Sequence, residues 1–416
     1  MQADKFRVTV VFWVVTIVGC NTSPTPASLS VITDEATEPS IRELEIEALP
    51  GVQSLSLESA PDGTLFAVHG VEHSLFVSRS EDGGQTFSAP VLATAELPVH
   101  VLPIERPAIS ADGNGRVAVA WLQMPPDFHG ADIWFAVSDD SGQTFGPGIR
   151  VTTELEGEVA MVEVDLDREG NPFLTWLNGS KLRFSRSHDG GATFTEPASV
   201  GQGACECCQP QIFIMDESLH IAYRSLEPGN EKGDIRDIVM IHSTDAGETF
   251  TPVSRVSDTH WYLPACPIAG PSLAVYDDNF YMAWMDGRLE PAGVFSRGDI
   301  WLASSGDSGN TFSENVRINT DQEMHHTLPS IAIGPGGRIH IAWEAQAQES
   351  RKAFLYYTTS DDGGQSFAPP HVMADNTDAS RGNPSRPVLI VNQAGQLTLA
   401  WLDRQGGRIA AWADSK

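Results

Sequence analysis

Hydrophobic and polar residues alternate along most of this chain in short runs, and the runs come in pairs. A first run follows a proline or a polar stretch, an Asp, Asn or Gly turn intervenes, and a second run ends in an aromatic residue. The clearest copies are P-A-I-S-A-D-G-N-G-R-V-A-V-A-W ending at Trp121, P-S-L-A-V-Y-D-D-N-F-Y-M-A-W ending at Trp284, P-S-I-A-I-G-P-G-G-R-I-H-I-A-W ending at Trp343 and P-V-L-I-V-N-Q-A-G-Q-L-T-L-A-W ending at Trp401. Others end at Trp176 and Tyr223, and a weaker one near His69. Alternation of period two with turn residues between the runs predicts antiparallel β-hairpins. An aromatic recurring at one place in each repeat predicts packing between repeats.

After six of the seven hairpins comes an eight-residue phrase, Ser-x-Asp-x-Gly-x-Thr/Ser-Phe. Its aspartates are Asp82, Asp140, Asp189, Asp245, Asp307 and Asp362, spaced 58, 49, 56, 62 and 55 residues apart. That period predicts a radial repeat fold. Asp and Gly suit a tight turn whose Asp side chain bonds nearby amides, so the phrases read as scaffold. Seven hairpins against six phrases favour a β-propeller of seven four-stranded blades over six. The last hairpin is followed by one more strand, around Arg408–Trp412, and then the chain stops. Ile41–Ala48 (I-R-E-L-E-I-E-A) alternates and is expected to supply the missing outer strand, closing the ring and covering a bare sheet edge.

These phrases resemble the Asp boxes, or BNR repeats, of the sialidase superfamily, over roughly residues 40–416. The resemblance implies a propeller with its boxes on the face away from the ligand. It also implies, for true sialidases, three arginines gripping a carboxylate, a Tyr nucleophile assisted by Glu, and an Asp acid/base. The Phe/Tyr-Arg-Ile/Leu-Pro phrase of those enzymes has no copy here; the nearest is Ile104-Glu105-Arg106-Pro107, in the second blade. The first blade's corresponding loop, G-V-E-H-S, holds no Asp. Fold therefore carries over more firmly than catalysis.

Ahead of the repeats, Lys5 and Arg7 precede an apolar run, Val8–Val18, ending in Ile17-Val18-Gly19-Cys20. That run is too short to span a bilayer and has the flanks of a signal peptide. Its ending resembles a bacterial lipobox, which implies cleavage before Cys20 and lipidation of its thiol. The expected division is a signal peptide over 1–19, a lipidated cysteine and polar tether over 20–40, and the propeller over 41–416. The expected location is the bacterial cell envelope, facing periplasm or exterior, with the membrane contacted through the lipid anchor only. The net charge of −29 becomes −30 once residues 1–19, which carry a net +1, are removed. Such a chain repels nucleic acid, and an anionic ligand needs a local arginine cluster to bind it. A monomer is expected.

Positions that differ from their equivalents in other repeats are candidates for function. Just past the second-strand aromatic stand Leu122, Leu177, Met285 and Leu402, but Arg224 and Glu344 in the fourth and sixth repeats. Arg224 precedes a long connection carrying Arg236 and Asp237; the fifth repeat contributes Asp286 and Arg288. Asp132, Asp237 and Asp299 each open a third strand, where capping is the plain reading. Inner-strand starts converge on a propeller's axis. They carry Arg106 and Arg386, the stretch G-A-C-E-C-C-Q-P with Cys205, Cys207 and Cys208, then H-W-Y-L-P-A-C-P with His260 and Cys266, and M-H-H-T-L-P with Met324, His325 and His326.

The four cysteines read either as two disulfides, the form an oxidising compartment favours, or as a thiolate site for a soft ion such as Cu(I), with Met324, His325 or His326 nearby. Paired Cys-x-x-Cys knuckles of structural zinc are missing, so zinc ranks third. Three functions stay open. One is a recognition propeller binding a glycan or other acidic ligand through Arg106, Arg224, Arg236, Arg288 and Arg386. The second is a sialidase-type glycoside hydrolase with Tyr262 or Tyr223 as nucleophile and Asp237 or Asp286 as acid. The third is copper or redox handling at the cysteines.

Overall fold

The computed structural model describes the strand Arg42–Glu45 and residues 51–413, apart from residues 95–98, 100–103, 124–130, 153–158, 202, 216, 295 and 351. The signal peptide, Cys20 and the tether lie outside the described residues. Those described are strands and turns, with no helix.

Among the described residues there are seven four-stranded antiparallel sheets and one small three-stranded sheet. In chain order, the first strands of the seven are Val52–Ser59, Ala108–Ala111, Val159–Leu166, Gln211–Met215, Ser272–Tyr276, Met324–Ile333 and Ser385–Val391. Six of the sheets are built from consecutive segments, the fourth with a two-stranded excursion between its second and third strands. The seventh takes its outermost strand from the other end of the chain: Arg42–Glu45 pairs antiparallel with Gly406–Ala413, Arg42 opposite Ala411 and Glu45 opposite Arg408.

Each pair of successive sheets shares one apolar core. Trp121 is buried between the first and second sheets, Trp176 between the second and third, Tyr223 between the third and fourth and Trp284 between the fourth and fifth. Trp343 and Trp401 follow at the next two interfaces. A seventh cluster, with Val52, Leu55, Val388, Ala400 and Ile409, joins the last sheet to the first. Sheets packed face to face in cyclic order form a propeller-type architecture. The recurrent aromatics bury large apolar surfaces, and their place in six successive interfaces explains their spacing in the sequence.

The six Asp phrases adopt one geometry. In each, the Ser hydroxyl donates to Asp Oδ1 at 2.7–2.8 Å. The Gly at the fifth position donates its amide to the Ser oxygen at 2.8–2.9 Å. The Thr or Ser at the seventh position donates its amide to Oδ1 and its hydroxyl to Oδ2. That glycine also meets the preceding sheet. A Cβ on Gly191 would lie 2.5 Å from Phe135, one on Gly247 2.5 Å from Phe184, and one on Gly84 2.6 Å from Thr398 of the seventh sheet. Each phrase thus fastens its own turn and seats it on its neighbour.

Candidate functional site: an arginine pair at the sheet starts

Five of the first strands carry an Xaa-Pro step: Arg106-Pro107, Gln209-Pro210 and Gly270-Pro271 just before the strand, and Leu328-Pro329 and Arg386-Pro387 inside it at a break in register. Proline is tolerated where a strand starts, because no ladder partner needs its missing N–H. At the matching position Met161, Leu328 and Arg386 take left-handed backbone conformations, with φ of 58°, 49° and 55°. Each coincides with a break in the strand register. A cavity beside these strand starts is lined by residues of the second, fourth, fifth, sixth and seventh sheets, among them Arg106, Cys207, Gln209, Gln211, Leu328 and Arg386.

Two of the expected arginines meet here. Arg106 Nη2 donates to the carbonyl of Pro387 at 3.1 Å, and Arg386 Nη1 donates to the carbonyl of Ile104 at 3.2 Å. This reciprocal pair links residues about 280 apart in sequence and leaves further N–H groups on both guanidinium forks. Gln209 brackets Arg106, accepting from its amide at 3.3 Å and donating to its carbonyl at 3.2 Å. The strained amide of Arg386 donates to Glu344. Glu344 is thus a departure with a local purpose, since a left-handed non-glycine residue needs its surroundings to hold it.

Carboxyls gather beside the arginines. Burial pushes Glu163 up to about 8, against the charge of Arg106 and hydrogen bonds from Gln209 and Gln211. Burial raises Glu105 to about 7, opposed by the Met161 amide, and raises Glu344 against the Arg386 amide and both arginine charges. Arg106 is lowered to about 10, first by desolvation and then by the charge of Arg386. At neutral pH Glu163 is therefore largely an O–H donor beside the Arg106 guanidinium. Glu163, Gln209 and Gln211 were missed by sequence reasoning. A signal existed for two of them. The position after the Xaa-Pro step, or its Met161-Val162 equivalent, is Ala108, Ser272, Ser330 or Val388 elsewhere but Gln211 and Glu163 here.

The structure uses the other candidates elsewhere. Arg224 is buried, and its guanidinium donates to the carbonyls of Ala269 at 2.9 Å, Arg236 at 2.6 Å and Met285 at 2.7 Å, lying over Trp261. Arg236 is also buried and donates to Leu263 O and to Cys205 Sγ. Arg288 is held by Asp286 and Asp258 and sits over Trp301. These three arginines are committed to the fold rather than to the cavity. Asp286 accepts from Trp284 Nε1 as well as from Arg288.

Asp237 belongs to a repeated pair. Asp132 with Arg150, Asp237 with Arg255 and Asp299 with Arg317 each join a third strand to a fourth across 18 residues. Asp237 also receives His260 and the Trp261 amide, while burial raises its pKa. Tyr223 is fully buried between sheets, its hydroxyl against Gly201. Tyr262 is half-buried in the three-stranded sheet, opposite Ile235. Its ring lies edge-on to His260, 6.4 Å between centroids, and His260 in turn contacts Asp237.

The cysteines converge. The sulfurs of Cys205, Cys207, Cys208 and Cys266 lie within 4.8 Å of one another. Cys207 is paired with Cys266, while Cys205 and Cys208 are free and buried. Cys205 is lowered to about 6 by the Cys208 thiol and by the charges of Arg236 and Arg224; burial pushes Cys208 well up. His325 and His326 stand outside this group. His326 accepts from Trp343 Nε1 and faces Asp321, and His325 accepts from the Gly298 amide. The Met324 sulfur lies 3.9 Å from the Tyr356 hydroxyl.

No family model matches the chain, and no curated protein does. Solved structures do. An ulvan lyase, a polysaccharide lyase, aligns with a TM-score of 0.56 at 11% identity over 88% of this chain and 95% of that one. The same kind of enzyme bound to -[GlcA(1-4)Rha3S]- gives 0.57 at 12% identity over the same shares. The intramolecular trans-sialidase from Ruminococcus gnavus gives 0.50 at 15% identity over 72% and 91%. The likeness is one of fold. It leaves the site to be argued from this chain's own residues.

Proposed function

We propose that this chain is a seven-bladed propeller, its ring closed by the N-terminal strand, that binds an acidic glycan in the axial cavity through Arg106 and Arg386. The carrying observation is that these two guanidinium groups, from the second and seventh sheets, line one cavity in a chain of net charge −29. An arginine pair in a strongly acidic protein is a local exception to the overall field, and bidentate forks match carboxylate or sulfate oxygens. Gln209 and Gln211 in the cavity lining supply hydrogen bonds of the kind that fix sugar hydroxyls. Fold neighbours that act on acidic glycans add support.

The protein is placed, in the same proposal, at the bacterial cell envelope as a lipoprotein anchored through Cys20. The flanks of Val8–Val18 support this reading. Incorporation of a labelled fatty acid that disappears in Cys20→Ser tests it.

Binding is tested by calorimetry with glucuronate-containing and sulfated oligosaccharides beside neutral oligosaccharides of equal length. Saturable binding of the acidic set alone is expected. Equal binding of both sets, or none, removes the arginine pair as the basis of recognition.

A further inference from the structure

Arg224 and Arg236 are both buried, and among the described residues neither is paired with a carboxylate. Buried guanidinium groups held only by neutral carbonyls lack compensating charge, and such charge must come from somewhere nearby. What lies nearby is sulfur. Arg236 Nη1 donates to Cys205 Sγ at 2.8 Å, and both arginine charges act on Cys205. Cys205 Sγ is 3.3 Å from Cys208, 3.6 Å from Cys266 and 3.9 Å from Cys207.

We propose that Cys205, Cys207, Cys208 and Cys266 form a four-thiolate site for a divalent d10 cation of the zinc class, joining the starts of the fourth and fifth sheets. Tetrahedral zinc–thiolate bonds of about 2.3 Å put sulfurs about 3.8 Å apart, which the three Cys205 distances bracket. The backbone amides of Cys207 and Ala269 direct hydrogen bonds to the sulfurs of Cys205 and Cys208, as thiolate ligands require of their outer shell.

Charge chooses the ion. Four thiolates and one divalent ion carry −2, which two guanidinium groups balance; a monovalent ion leaves −3. Four protein ligands make the site closed and therefore structural. The Cys207–Cys266 disulfide is the oxidised form of the same four sulfurs. A dithiol reductant opens it by taking up the disulfide bond itself and delivering two protons, and metal binding then releases four protons from four thiols.

The test is metal analysis of the full chain purified anaerobically with a dithiol reductant and Zn²⁺, then passed through a desalting column. One zinc per chain is expected, with Cys205, Cys207, Cys208 and Cys266 unreactive to a thiol reagent until a chelator and denaturant are added. Replacing zinc by Co²⁺ is expected to give thiolate charge-transfer absorption with the visible bands of a tetrahedral site. Arg236→Gln keeps all four sulfurs and is expected to weaken metal retention against a competing chelator about 10–100-fold. Substoichiometric metal in the reduced wild-type chain, or cobalt spectra without thiolate charge transfer, overturns the proposal. Neither reading depends on a cysteine variant that fails to fold.

Discussion

Arg224, on the second strand of the fourth sheet, donates through Nε to the carbonyl of Ala269 at the start of the fifth, at 2.9 Å. The other repeats place Leu122, Leu177, Met285 and Leu402 at the matching position. Arg224→Met therefore gives the apolar residue of the fifth repeat and keeps most of the apolar volume. It nevertheless strands three buried carbonyls, each of which costs about 1–3 kcal/mol when left unpaired. A net loss of about 3 kcal/mol or more is expected by urea denaturation. A neutral or stabilising result would mean that the clamp does not hold the two sheets.

Neighbouring glycines of the sixth sheet's Asp phrase separate two causes of strain. Gly363 and Gly364 both have left-handed φ, 71° and 88°. A Cβ on Gly363 meets nothing within 4 Å, whereas one on Gly364 overlaps the Leu302 side chain of the fifth sheet. Gly363→Ala is expected to cost about 1 kcal/mol from backbone conformation alone. Gly364→Ala adds overpacking and is expected to cost about 1–3 kcal/mol beyond that. Thermal melts of the two variants check the difference.

Stability should peak at low pH. Glu163, Glu105 and Asp165 sit at about 8, 7 and 6, above their ordinary 4.5, 4.5 and 3.8. The folded state binds their protons more tightly, so their contribution is complete below about 4 and is lost as pH rises toward 8. The Asp phrases act oppositely. Asp140, Asp189, Asp245, Asp307 and Asp362 are held near 2 by the phrases' own Thr and Ser hydroxyls and amides. Their contribution is present above 3.8 and is lost as pH falls through 2. Unfolding midpoints measured across pH are expected to be highest near pH 4–5, and Glu163→Gln is expected to flatten the decline toward pH 8. A midpoint rising from pH 5 to 8 contradicts the assignment.

The scaffold was legible because it is local and repeated. Turn chemistry at Asp82 through Asp362 is written in eight residues each time, and counting strands left the last sheet one short, which pointed to the segment containing Arg42–Glu45. Departures from the repeat singled out Arg224, Glu344 and the Cys-x-Cys-Cys stretch. What each departure does was not legible. A sequence does not show whether an arginine faces a cavity, like Arg106, or three carbonyls, like Arg224. Asp237 looked like an acid because its partner Arg255 is 18 residues away, and only the recurrence of that pair at Asp132 and Asp299 reveals a strand-pairing device.

Glu344 offers a finer test of the cavity. Its carboxylate receives the amide of Arg386 in a left-handed conformation. Glu344→Gln preserves an acceptor oxygen, and Glu344→Ala removes it. The Ala variant is expected to lose about 1–3 kcal/mol of stability and to weaken ligand binding, with the Gln variant close to wild type. Equal behaviour of both variants would mean that the carboxylate does not position Arg386.

Arg106 and Arg386 carry the proposed binding. Titration calorimetry of a glucuronate-containing oligosaccharide should compare the wild-type chain, Arg106→Gln, Arg386→Gln and the double variant, with folding checked by circular dichroism. Each single substitution is expected to weaken binding about tenfold or more, as for loss of a charge-assisted hydrogen-bonding partner of about 1.5–3 kcal/mol, and the double variant to abolish it. Undiminished binding in the folded double variant would contradict the axial cavity as the site.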